Sequence, residues 1–144
     1  MNLDELDFII TEGEPNPDDF ESLSKGLLSH HESQGHKRIW EKYCIFLKDK
    51  SGKAHAGIIV TFLWNGMHID SLWVDESLRG NDYGTKLMKM VEEAAIKKKC
   101  TIAYTDTFTW QAPEFYEKLG YKIYGRLEEF PEGNSLSYYY KRLT

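Results

Sequence analysis

The stretch SLWVDESLRGNDYGTKLMKMVEEAAIKKKC, residues 71–100, decides how this chain is read. Leu72, Trp73 and Val74 end an apolar strand, and a short loop carrying Arg79, Gly80 and Gly84 follows. Leu87, Met88, Val91, Ala94 and Ala95 then recur at i, i+3 and i+4, the period of an amphipathic helix. A strand, a glycine-bearing turn and a helix start suit a phosphate. First-turn N–H groups lack intrahelical partners, and the helix dipole places partial positive charge beside them. Glycine lets the backbone approach an anion closely. Arg79 adds a planar, permanently charged fork. The segment points to a phosphate-bearing cofactor.

Working outward, residues 101–107 read as a buried strand and residues 110–119 as a short helix, stopped by Gly120 in a left-handed cap. Residues 121–130 and 135–142 read as two last strands, joined by a turn with Pro131 and Gly133-Asn134. Upstream, residues 67–74 return from residues 55–64 through Asn65-Gly66, a strong hairpin signal. Residues 40–48 form a strand before the turn Asp49-Lys50-Ser51-Gly52, with Tyr43, Ile45 and Leu47 on one face and Cys44 and Phe46 on the other. Residues 8–12 are expected as a first strand. Asn16-Pro17 then caps a helix that Gly35 ends. The order β-α-β-β-β-α-β-α-β-β places an antiparallel meander before a βαβ crossover. It implies an α/β fold with a mixed central sheet and helices on its faces.

At 144 residues the chain is expected to be one domain, residues 1–144, with room for a core. A hydrophobic share of 41% and a charged share of 28% place it among ordinary globular proteins. A net charge of -5 argues against a general nucleic-acid binder, and no run is long enough to span a membrane. The basic run Lys97-Lys98-Lys99 closes a helix and complements its dipole. Cys44 and Cys100 lack metal-ligand spacing and read as buried, reduced thiols. That use of cysteine and the acidic, leaderless N-terminus suggest the cytoplasm. His30, His31 and His36 carry no partner pattern for a metal, and none is expected.

The element order and two motifs together resemble the GNAT superfamily of acyl-CoA-dependent N-acetyltransferases. The cofactor motif R/Q-x-x-G-x-G/A appears as Arg79-Gly80-Asn81-Asp82-Tyr83-Gly84-Thr85, and F-Y-x-K-x-G-[FY] appears complete as Phe115-Tyr116-Glu117-Lys118-Leu119-Gly120-Tyr121. The likeness covers nearly the whole chain and implies a mixed, mostly antiparallel sheet with helices on both faces. It implies binding of acetyl-CoA, with the amides of Asn81, Asp82, Tyr83, Gly84 and Thr85 on the pyrophosphate. The edge Leu72, Trp73 and Val74 would pair with the pantetheine arm, in a gap between splayed strands. Two positions depart from the family pattern. Asp82 stands where a glycine is expected, and is read as a helix cap or as facing solvent. Thr109 stands where many relatives carry an asparagine at the cofactor, and is read as a cofactor contact or as a cap.

The resemblance makes Tyr116 the proton donor to the leaving thiolate, since a phenol near pKa ~10 is protonated at neutral pH. It makes Asp70 the acidic residue facing the acceptor amine, with orientation of a cationic substrate favoured over proton abstraction. Asp106 is a second candidate carboxylate, and His68 shares a strand face with Asp70. Tyr138 and Tyr140 alternate with Tyr139, so the three cannot share one face. The expected reaction is direct acetyl transfer to a primary amine, a small cationic molecule. The alternative is a non-catalytic acyl-CoA-binding or interaction module with this fold. Terminal-strand tyrosines and exposed strand edges leave room for a homodimer.

Overall fold

Asn16 and Pro17 start the first helix as their chemistry requires. The Asn16 side chain accepts from the Asp18 N–H at 2.8 Å, and Pro17 sits where no N–H is needed. Helix α1 runs Pro17–Ser33, and Gly35 follows at φ 82, the left-handed angle that ends a helix. It belongs to the first of two units of the chain, residues 1–38, the second being residues 39–144. A computed structural model describes residues 1–37 and 39–144.

The strand expected at residues 8–12 does not form. Phe8, Ile9 and Ile10 are exposed at 83% or more, and strand pairing among the described residues is confined to the second unit. Apolar, β-branched residues favour extended backbone, but a strand also needs a neighbour for its N–H and C=O groups.

The second unit holds six strands: β1 Trp40–Lys48, β2 Ala54–Leu63, β3 Gly66–Val74, β4 Ile102–Phe108, β5 Lys122–Glu128 and β6 Ser135–Arg142. Helix α2 spans Tyr83–Lys97, and α3 spans Pro113–Lys118. The sheet order is β1-β2-β3-β4-β6-β5, antiparallel throughout except for the β3–β4 pair. The mixed, mostly antiparallel α/β architecture is the one expected.

The β2–β3 hairpin is set one residue earlier than Asn65-Gly66 suggests. Leu63 pairs with Gly66, so the loop is Trp64-Asn65, with Trp64 at φ 51. The buried face overrides the local turn preference. In this register Phe62 opposes Met67 and Val60 opposes Ile69, all at 5% exposure or less. A one-residue slip would turn that set to the other face.

Leu87, Met88, Val91 and Ala95 of α2 lie in one core with Ile58, Val60, Met67, Ile69 and Ala103. Burying each large side chain contributes roughly 1.5–3 kcal/mol. Glu92 is buried on the same helix because Lys141 of β6 reaches it at 2.6 Å. Cys100 is 1% exposed, and burial pushes its thiol up despite the Lys98 charge, so it is a poor nucleophile. Cys44, expected to be buried, is exposed: it lies on the outward face of β1, whose other face carries Tyr43, Ile45 and Leu47.

Candidate active site

Strands β3 and β4 pair through only three residues each: Gly66 with Ile102, Met67 with Ala103, and His68 with Tyr104. Beyond that point β3 runs to Val74 and β4 to Phe108 without pairing to each other. The Thr105 hydroxyl closes the apex by donating to the Ile69 carbonyl at 2.9 Å. A cavity of about 550 Å³ occupies the gap.

The strand edge Leu72, Trp73 and Val74 lines this cavity, with Arg79 and Gly84. Asp70 and Tyr116, the two residues expected to carry chemistry, line it as well. Segments far apart in sequence meet here because the crossover helix α2 returns the chain parallel to β3, and α3 follows β4 directly.

The loop before α2 is held by its own polar groups. Asp75 accepts from the Ser77 N–H at 3.1 Å, and Asn81 donates to the Leu78 carbonyl at 3.0 Å. Arg79 Nε donates to the Val74 carbonyl at 3.3 Å, which ties the guanidinium to the end of β3. Gly80 has φ 83 and Asp82 φ 60, so the turn visits the left-handed region twice. Lys86 N–H makes the bond to the Asp82 carbonyl. The N–H groups of Tyr83, Gly84 and Thr85 precede it in the first helical turn. Gly80, Asn81, Asp82, Tyr83 and Thr85 shape this turn without lining the cavity.

Asp82 does not cap α2: its side chain makes no cap hydrogen bond, and the residue is exposed. A left-handed residue cannot aim its carboxylate as an extended N-cap does. Asp82→Gly removes a side chain that strains this conformation, at about 1–2 kcal/mol for an L-residue. It also removes a negative charge from the helix start. The affinity for acetyl-CoA is expected to rise a few-fold, about the 0.3–1 kcal/mol that a charge near a helix terminus is worth. Calorimetry at low and high salt checks it, the gain being larger at low salt.

Asp70 sits at a β-bulge. Ser71 pairs with Ile59 and Ile69 with Val60, so Asp70 is the extra residue on β3. A bulge re-aims a side chain. Here the carboxylate becomes the hub of a polar row. Oδ2 accepts from Lys42 Nζ at 2.7 Å and from the Thr61 hydroxyl at 2.6 Å, while Oδ1 meets His68 Nδ1 at 2.5 Å. Burial pushes the Asp70 carboxyl up, but the hydrogen bonds from Lys42, Thr61 and His68 outweigh it and hold the group below its ordinary value. Asp70 is therefore an anion at neutral pH and a weak proton acceptor.

Tyr116 is 8% exposed and packs edge-on to Phe115 and Tyr121. Burial pushes its phenol up, a hydrogen bond with Thr105 pulls back, and the Asp106 charge raises it further. The phenol thus keeps its proton through the neutral range.

Helix α3 begins at Pro113 rather than at Trp110. Gln111 Oε1 accepts from the Phe108 N–H at 2.8 Å and holds the preceding residues in a turn. Thr109, expected at the cofactor or as a cap, does not cap α3, whose N-cap position is Ala112. Its hydroxyl accepts from the Ser135 N–H at 2.8 Å and joins the end of β4 to the start of β6, outside the cavity lining. Sequence reading missed Thr105, Thr107, Trp110, Gln111 and Phe115 as lining residues. The alternation of β4 could have flagged the two threonines, whereas the 109–112 turn left no periodic signal.

The profile of the Acetyltransferase (GNAT) family matches residues 9–121. The blasticidin-S acetyltransferase of Streptomyces morookaense is 30% identical over 97 residues, 67% of this chain and 71% of that protein. An acetyltransferase from Bacillus cereus superposes with a TM-score of 0.81 at 33% identity, covering 92% of this chain and 97% of that one. An aminoglycoside 6'-N-acetyltransferase complexed with coenzyme A shares the fold, with a TM-score of 0.64 at 21% identity over 95% of this chain and 98% of that one. A cavity opened by strands that part after three pairs, beside a glycine-bearing helix start, fits a long phosphate-bearing thioester. With the family match across most of its length, the chain belongs to the GNAT acetyltransferase family and is an acyltransferase that uses acetyl-CoA.

Proposed function

We propose that this protein transfers an acetyl group from acetyl-CoA directly to the primary amine of a small cationic acceptor. The observation that carries this reading is the parting of β3 and β4, which brings Arg79, Gly84, Asp70 and Tyr116 to one cavity. Acetyl-CoA supplies the activated thioester. The exposed edge of Leu72, Trp73 and Val74 offers backbone groups to an extended chain. Arg79 and the first-turn N–H groups of α2, with Asn81, Asp82, Tyr83 and Thr85 setting the loop, offer positive charge to phosphates. Tyr116 Oη holds the proton that the departing sulfur requires. Asp70 accepts from His68 Nδ1–H, which fixes the orientation of the ring. Its own carboxylate orients the site rather than taking a proton. The relatives' names support a small-molecule acceptor: one similar protein is named for blasticidin-S.

Saturating acetyl-CoA is expected to raise Tm, since a ligand that binds only the folded state stabilises it by mass action. Thiol release across a panel of amines then identifies the acceptor, and tight CoA binding without thiol release across that panel would favour a binding module instead. Asp70→Asn is expected to cut turnover by about 10²-fold, as misplacement of a group that positions the reacting partners does. It also changes the pH dependence of stability. A depressed folded pKa contributes stability above the unfolded value of ~3.9, lost as pH falls through the folded value. The stability gap between wild type and Asp70→Asn should therefore narrow below about pH 4. A constant gap from neutral pH into acid would remove the claim that Asp70 is held as an anion.

A further inference from the structure

Asp70 and Asp106 line the same cavity from strands that have parted, yet their surroundings differ. The chain gives Asp70 its own cation, Lys42 at 2.7 Å. Asp106 is exposed, and among the described residues its carboxylate has no hydrogen-bond or ion-pair partner. Tyrosines surround it instead. Asp106 opposes Tyr138 across the β4–β6 pair, and Tyr104 opposes Tyr140. These residues alternate with the buried Ala103, Thr105 and Tyr139 and so share the opposite sheet face. The Tyr124 ring on β5 lies 6.0 Å from Tyr138, and Gly125, which opposes Tyr138, adds no side chain between strand and ring. Arg142 already lies over Tyr140 at 5.9 Å, whereas no lysine or arginine among the described residues lies over the ring of Tyr104, Tyr124 or Tyr138.

A carboxylate beside electron-rich ring faces holds a cation well. Without a cation of its own such as Asp70 has in Lys42, it is poorly suited to hold the amine that reacts. Acetylation needs that amine neutral, and a nearby carboxylate favours its charged form. We infer that Asp106, with Tyr104, Tyr124 and Tyr138, forms a subsite for a second cationic group of the acceptor, distinct from the amine that is acetylated. The inference rests on the amine-acetylation reading above and narrows its substrate class to molecules with at least two positive groups. The phenols of Tyr104 and Tyr124 stay neutral, and the Tyr104 ring has the His68 ring beside it at 4.9 Å. Burial first, then Tyr124 and Asp70, pushes the Tyr104 phenol up; burial first, then Tyr138 and Asp106, does the same for Tyr124.

Two probes test this: butylamine, and a primary amine joined by a butyl chain to a trimethylammonium group. With acetyl-CoA, kcat/KM for the second is expected to be roughly tenfold higher, as a cation over aromatic faces implies. That ratio should fall towards one in Asp106→Asn and in Tyr138→Leu. Equal values in the wild type, or an unchanged ratio in Asp106→Asn, overturn the subsite. Tetramethylammonium, titrated while tyrosine ring signals are followed by NMR, gives a readout that needs no turnover. Saturable shifts in wild type that vanish in Asp106→Asn uphold the subsite even if neither amine is acetylated, in which case the transfer reading fails alone. Absence of saturable shifts overturns the subsite whatever the kinetics show.

Discussion

Tyr116→Phe is expected to lower kcat by about 10²–10⁴-fold, the usual worth of a positioned general acid. The substitution deletes one hydroxyl and keeps the ring, so the contacts with Phe115, Tyr121 and Tyr139 survive. Thr105 keeps its bond to the Ile69 carbonyl, and the apex of the cavity stays closed. Affinity for acetyl-CoA should change little, because the hydroxyl acts on the proton and not on the phosphates. Equal losses in kcat and kcat/KM identify a group that matters in the transition state. The pH profile gives a second check. Burial holds the phenol above its ordinary value, so ionisation of Tyr116 should not reduce wild-type turnover below about pH 10. Wild-type turnover in Tyr116→Phe would dismiss the role and leave the residue as packing.

Gly84→Val is expected to weaken acetyl-CoA by about 10²-fold or more and to erase most of the ligand-induced rise in Tm. A Cβ at residue 84 would lie 3.3 Å from two ring carbons of Phe115 and 4.0 Å from Val74 Cγ2. Valine adds two branches at that crowded point. They press on α3 through Phe115 and on the end of β3 through Val74, the two walls that meet at the helix start. Overpacking of this kind costs about 1–3 kcal/mol, so the unliganded variant should fold with a lowered Tm. Gly84→Ala separates the causes: its single methyl meets the same ring at the same distance without branches, and should lose much less affinity. Calorimetry on both variants decides the matter. Undiminished binding by Gly84→Val would place the cofactor elsewhere.

The helices and strands were largely legible in the sequence, because period and punctuation are local properties. Residues 40–48 and 135–142 coincide with β1 and β6, and Asn16-Pro17 and Gly35 around α1 and Gly120 after α3 sit where caps require them. The family motifs at Arg79–Thr85 and Phe115–Tyr121 were legible for the same reason. Other features depend on partners distant in sequence, which no local pattern encodes. Residues 8–12 have strand-forming composition, yet among the described residues they pair with no strand. Asn65-Gly66 is a good turn, yet the burial of Met67 and Ile69 moves the loop to Trp64-Asn65. Asp82 could have been a cap until its left-handed backbone turned the carboxylate away. Asp70 was visible as a carboxylate near the right strand end. Only the folded sheet brings Lys42, Thr61 and His68 to it from three strands. The sequence by itself thus determined most of the elements and the motifs of the loop, and it singled out Tyr116 and Asp70 as candidates. The tertiary structure decided where β3 and β4 part, which side chains share the resulting cavity, and which charges are matched. Each depends on strand register and burial, and these exist only once remote segments have packed together.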